Sequence, residues 1–145
     1  MEKIKVKPDI WTSSEQKREQ LIAYADELVK IKKVPLQNTG IELIYGETHA
    51  ENFGELKFLA EYLARPCNRI IILTSCDEYA NLIISKSSNV SHISASDIIE
   101  TIAETYNGTI ISSHDSVAAL MHYWHDILPE MLDLAVEFSI VKTFA

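Results

Sequence analysis

From Gly40 onward the chain alternates short runs of aliphatic and β-branched residues with longer stretches of helical periodicity, and four of those runs stop at a carboxylate. Residues 41–46 run into Glu47, 69–76 into Asp77, 90–96 into Asp97 and 109–114 into Asp115. Strand–helix alternation of this kind predicts an α/β domain: a three-layer α/β/α sandwich around a four- or five-stranded, mostly parallel sheet. In a parallel sheet all four carboxylates would emerge on one edge. That is the edge where open α/β sheets bind their ligands.

The chain reads as a single α/β domain over 1–145, with an N-terminal strand and helix segment (1–39), a β/α core (40–112) and a C-terminal helical pair (113–145). Residues 3–8 are expected to form an edge strand that Pro8 ends. Ser13 or Ser14 can cap a helix that runs to about Lys33, followed by a turn at Pro35, Asn38 and Gly40. Strands are expected at 41–46, 69–74, 90–93 and 109–112. Helices are expected at about 48–64, 77–86, 96–106 and 114–128, with a last one from Pro129 to about 142. Asn107-Gly108 reads as a left-handed helix cap. The segment 117–141 carries more apolar residues than two helices can turn toward one small sheet. Its last helix is therefore either sandwiched within the domain or part of a homodimer interface anchored by Trp124.

Charge narrows the partners. The net charge is −8, yet residues 1–33 hold eight Lys/Arg against six Asp/Glu, and no Lys or Arg stands between Lys86 and Lys142, where eight carboxylates occur. RNA would have to be met by Lys3, Lys5, Lys7, Lys17, Arg18, Lys30, Lys32 and Lys33. The rest of the surface suits a basic protein partner. No run is long enough to span a bilayer, and the charged start Met-Glu-Lys-Ile-Lys-Val-Lys lacks an apolar signal core, which predicts a cytoplasmic protein. Cys67 and Cys76 flank one strand, roughly 30 Å apart at about 3.3 Å per residue, so they are expected to be unpaired thiols.

Converging carboxylates could hold Mg²⁺ or Mn²⁺ and activate a water against a phosphodiester. On that reading Glu47, Asp77, Asp97 and Asp115 hold the metal, and Glu51 and His49 assist as acid–base groups. The other reading is architectural. Ser75, Ser94 or Ser96, and Ser113 would be helix N-caps, and Asp77, Asp97 and Asp115 first-turn acids that complement the helix dipole. His122 and His125 are spaced as two ligands on a zinc helix would be, without a companion motif. Cys76 is placed where a helix N-terminus could activate a thiol, although Asp77 beside it opposes this.

Residues 41–103 resemble the core of YacP-type NYN ribonucleases, relatives of PIN-domain nucleases with a Rossmann-like fold. The likeness lies in Ile41-Glu42-Leu43-Ile44-Tyr45 followed by Glu47-Thr48-His49-Ala50-Glu51-Asn52, in Ile70-Ile71-Ile72-Leu73-Thr74-Ser75-Cys76-Asp77, and in Ile93-Ser94-Ala95-Ser96-Asp97-Ile98. It implies metal-dependent RNA hydrolysis, with Glu47, Glu51 and Asp77 as ligands and Ser75 as a polar neighbour. The rival expectation is a non-catalytic acidic module, immunity- or antitoxin-like or regulatory, that binds a basic protein. Carboxylates gathered about one point would favour the hydrolase, and carboxylates spread over the surface the binder.

Overall fold

The computed structural model describes the backbone of residues 9–31 and 33–144, and side chains over 15–27 and 33–144; the edge strand expected at 3–8 lies outside the described residues. The elements run α1 (Asp9–Ile31), β1 (Lys33–Leu36), β2 (Ile41–Glu47), α2 (Phe53–Leu63), β3 (Arg69–Cys76) and β4 (Ala80–Lys86). After them come α3 (Ala95–Tyr106), β5 (Thr109–Ser113), β6 (Val117–His122), a 3₁₀ turn (His125–Ile127) and α4 (Leu128–Phe144).

Among the described residues the sheet has six strands in the order β1-β2-β3-β4-β6-β5. Only β2 and β3 are parallel; the other four pairings are antiparallel. The expected four- or five-stranded, mostly parallel sheet is therefore corrected to a six-stranded mixed one, although helices do cover both faces. Two segments expected to be helices are strands, the strand expected at 90–93 is irregular backbone ahead of α3, and β1 is added at the edge where a turn was expected. Residues 80–86 are buried without exception, so no helical stripe distinguishes them from a central strand. Asp77 closes a hairpin ahead of them: its Oδ1 accepts the Tyr79 N–H at 2.8 Å, and its own N–H donates to the Tyr79 carbonyl at 3.1 Å. This is the local turn chemistry that aspartate supplies. Residues 117–122 form a second such strand, β6, which lies between β4 and β5.

Each sheet face has its own core. Leu43, Ile70, Ile72, Leu82, Ile84 and Leu120 pack under α3 and α4 with Ile98, Ile102, Met131 and Ala135. Ile44, Ile71, Leu73, Ile83 and Ala119 pack under α2 with Leu56, Leu59 and Leu63, and Ala25 of α1 joins them. Each fully buried Leu or Ile contributes about 1.5–3 kcal/mol. This arrangement accounts for the apolar excess of 117–141. Ala118, Ala119 and Leu120 are interior strand residues, and α4 buries Leu128, Met131, Leu132 and Ala135 against the sheet. The homodimer expectation thereby loses the apolar excess that prompted it, while Trp124, its expected anchor, is 67% exposed. Asn107 caps α3 in the left-handed region at φ 60°, as the sequence predicts, and Gly108 donates its N–H to the Ala103 carbonyl at 2.8 Å.

Candidate functional site

Because β2 and β3 are parallel, Glu47 and Asp77 leave the sheet on one edge. Around them lies an open cleft of about 510 Å³, lined by Glu47, Thr48, His49, Ala50, Glu51, Cys76 and Asp77. The loop that forms its floor is tightly specified. The Thr48 N–H donates to the Thr74 carbonyl at 2.7 Å, and the buried Thr48 hydroxyl accepts the Ala50 N–H at 3.3 Å. Asn52 then caps α2 by accepting the Glu55 N–H at 3.0 Å, and Glu55 reaches back to the Glu51 N–H at 2.9 Å. This reciprocal pairing is close to a capping box. Glu51 also meets Lys17 of α1 at 3.3 Å, and Lys17 spans on to Glu55 at 3.4 Å. Burial disfavours the Lys17 charge, but the two carboxylates outweigh it and hold its pKa above the ordinary lysine value. Glu51 is thus drawn toward α1 by an ammonium group, while His49 is exposed with its ring 6.5 Å from that of Tyr24.

Asp97 and Asp115 lie elsewhere. Strand β4 runs back across the sheet, so Lys86 ends opposite Ile70; β5 likewise ends at Ser113, opposite Ala118. The Glu47 edge and the Asp115 edge are separated by the length of a strand, roughly 20 Å at about 3.3 Å per residue. Asp115 pairs with the buried Lys86 ammonium at 2.9 Å, and its backbone carbonyl accepts the Ala95 N–H at 2.9 Å. The bond from Lys86, aided by one from Ser94, holds the Asp115 carboxyl below its ordinary value. Asp97 sits in the first turn of α3 behind the Ser94 cap, the architectural role that the sequence also offered. The structure therefore brings together Glu47, His49, Glu51 and Asp77, and does not bring Asp97 or Asp115 to them. Among the described residues no group of three or more His, Cys, Asp or Glu side chains is arranged to hold a metal ion. Asp77 is instead engaged by the Tyr79 N–H and by the Asn81 side-chain amide at 3.2 Å.

The remaining sequence candidates resolve into supports. Ser75 lies within reach of the Asn81 amide, and Ser113 donates to Glu100. His122 and His125 do not share a helix. A carbonyl can only accept, so His122 donates through Nε2 to Tyr106 at 2.9 Å while its Nδ1 accepts the Trp124 N–H at 3.0 Å. His125 likewise donates to the Glu78 carbonyl at 3.0 Å. Cys76 is exposed, but burial of the sulfur and the charges of Asp77 and Glu47 push its thiol above the ordinary value, the reverse of nucleophile activation. The sequence offers Trp124 as an interface anchor but not its association with Tyr79 and Tyr123; the three form an aromatic corner on the Glu47 edge, with Tyr123 and Trp124 exposed and Tyr79 half-buried. The signal was the Tyr-Trp pair between two histidines, obscured when 114–128 was taken as a helix.

No family model matches the chain, and no curated protein does. Among solved structures it is similar to the C-Ala domain of alanyl-tRNA synthetase from Aquifex aeolicus. That match has 21% identity and a TM-score of 0.62, and covers 77% of this chain and 97% of that one. It is also similar to a DHH domain from a protein described as a member of a family of ribosomal proteins, at 14% identity and a TM-score of 0.58, covering 92% and 32%. CDC45 from Entamoeba histolytica is similar at 8% identity and a TM-score of 0.57, covering 82% and 27%. At these identities the likeness establishes a shared fold. The chain spans nearly the whole C-Ala domain, but only about a third of the DHH-containing protein and less of CDC45.

Proposed function

We propose that this protein is a recognition module without hydrolase activity, and that its acidic surface binds a basic protein partner. The observation that supports this is the parting of the carboxylates: Glu47 and Asp77 stand on one sheet edge, Asp97 and Asp115 on the other. A two-metal or one-metal phosphodiester site needs several oxygen ligands at about 2.0–2.6 Å from a common ion. Carboxylates spread over two edges act instead as a field that draws in cations. Four of the described cations are paired, Lys17 with Glu51 and Glu55, Lys33 and Arg69 with Glu42, and Lys86 with Asp115, and each neutralises part of that field, which the net charge of −8 leaves negative.

A second reading, RNA recognition, is favoured by one observation. The chain covers almost all of a domain that belongs to a tRNA synthetase. The two readings separate in one series of anisotropy titrations with a labelled nona-arginine peptide and a labelled single-stranded RNA of equal length, over a range of salt. We expect the peptide to bind with an affinity that falls as salt rises, the RNA not to bind at physiological salt, and Mn²⁺ to give no heat of binding in calorimetry. RNA binding that survives physiological salt would overturn the protein-partner reading in favour of the second. Mn²⁺ binding abolished by Asp77→Asn would restore the hydrolase.

A further inference from the structure

Two consecutive residues carry large side chains into solvent at the Glu47 edge: Tyr123 is 68% exposed and Trp124 is 67% exposed. They are not loosely held. The Trp124 N–H is taken by His122, and His122 is itself fixed to the Tyr106 carbonyl. His125, just beyond, is tied to the Glu78 carbonyl. The Tyr123 ring meets that of Tyr79 edge-on, with centroids 5.3 Å apart and planes at 71°. Asp77 fixes Tyr79 in turn through its backbone N–H. Two loops, 77–79 and 122–127, are thus joined into one corner whose backbone is held by these bonds, with the Tyr123 ring packed on Tyr79 and the Trp124 ring 5.6 Å from that of His122. Such preorganisation lowers the ordering entropy that binding would otherwise cost.

The chemistry of the corner is one-sided. Its two loops carry Asp77, Glu78 and Asp126 and neither Lys nor Arg. Ring faces are electron-rich and attract cations, as carboxylates do. A guanidinium satisfies both at once, because it stacks flat on a ring while its N–H fork takes a carboxylate; an ammonium group has no plane to stack. We propose that this corner receives an arginine side chain from an extended basic segment of the partner, with Trp124 and Tyr123 as the stacking rings and Asp77 and Glu78 as the anionic wall. The proposal rests on the reading of the protein as a binder of basic partners, and adds where the partner docks and which residue is read.

The test compares labelled nona-arginine with labelled nona-lysine, which carry equal charge. The unmutated protein should bind nona-arginine about two- to fivefold more tightly, the range of an exposed cation–π contact. Trp124→Ala, and independently Tyr123→Ala, should reduce that preference; Trp124→Ala should leave the melting temperature unchanged, whereas Tyr123→Ala also removes the edge-on contact with Tyr79 and should lower it slightly. Asp133→Asn combined with Glu137→Gln, on the outer face of α4, should weaken both peptides alike and keep the preference. If the two peptides bind equally, or if both aromatic variants retain the preference, the arginine receptor is overturned while the basic-partner reading stands. If neither peptide binds, both fall.

Discussion

Lys86 carries its charge in a place where charge is costly. Its side chain is 5% exposed, and its ammonium is satisfied by the Ile93 carbonyl at 2.7 Å and by Asp115 at 2.9 Å. Asp115 itself is 71% exposed, so water attenuates the pair from one side only. Lys86→Met should destabilise the protein by about 1 kcal/mol: the buried charge disappears, but the Ile93 carbonyl is left without its donor. Asp115→Asn should lower the melting temperature by leaving the ammonium half-compensated. The pH dependence has a definite sign. The Asp115 carboxyl titrates below its ordinary value of 3.8 in the folded state, so its stabilising effect is complete above the ordinary carboxylate range. It is lost as pH falls from 3.8 through the lower native value. Thermal melts of the two proteins should therefore differ by a constant amount at neutral pH and converge in that acid window; a gap that persists in strong acid would contradict the linkage. This pair was not legible in the sequence. Asp115 stood out as a strand-end acid, but its partner lies 29 positions away and is brought to it only by the antiparallel run of β4.

At the scale of elements, legibility followed periodicity and punctuation. Helix α3 was read almost to the residue because Ile98, Ile99 and Ile102 mark one face, Ser94 caps its start and Asn107-Gly108 its end. Strands β2, β3 and β5 were visible as β-branched runs. What failed was the assumption that a strand must be followed by a helix. Residues 80–86 and 118–120 are buried on both faces, and such runs fit a buried helix turn as well as a buried strand. The deciding signals were three-residue hairpin connections, Asp77–Tyr79 and His114–Ser116, too short for a crossover between parallel strands. The mistaken directions carried the site with them. Once β4 and β6 are antiparallel, two of the four carboxylates pass to the far edge, and one expected metal cluster becomes a cleft and an ion pair. The α3 cap offers a check on element-level reasoning. Asn107→Ala should cost about 1–2 kcal/mol, because a Cβ without a local hydrogen-bonding side chain is unfavourable in the left-handed region. Asn107→Gly should be nearly neutral. Gly108→Ala should also destabilise, since its new methyl would lie 3.3 Å from Leu120 Cδ1 and from the Met121 carbonyl. Urea unfolding of the three variants measures the order; Ala and Gly costing the same at position 107 would refute the strained-cap account.

At the scale of the whole molecule, the charge distribution bears on self-association as well as on partners. The sequence suggested a dimer because 117–141 held more apolar residues than two surface helices need. With β6 inside the sheet, what remains exposed on α4 is Val141 and Phe144 near its end, 58% and 55% exposed, while Glu130, Asp133 and Glu137 are exposed earlier along the helix. Two copies meeting along that helix would bring these acids toward one another, each copy carrying a net charge of −8. A patch of two side chains is also far below the roughly 1,000 Å² of buried surface that a specific interface requires. Light scattering at neutral pH and low salt should therefore find a monomer. As pH approaches the sequence pI of about 5.0, the net charge falls toward zero, the repulsion vanishes and association should rise. Val141→Ser with Phe144→Ser separates a specific contact from this general loss of repulsion. If a dimer exists at neutral pH and the double variant abolishes it, the end of α4 is an interface after all. If association appears only near pH 5.0 and is indifferent to the variant, it is governed by net charge. The second outcome is expected, because removing the repulsion leaves too little apolar area on α4 to hold two copies together in one specific arrangement.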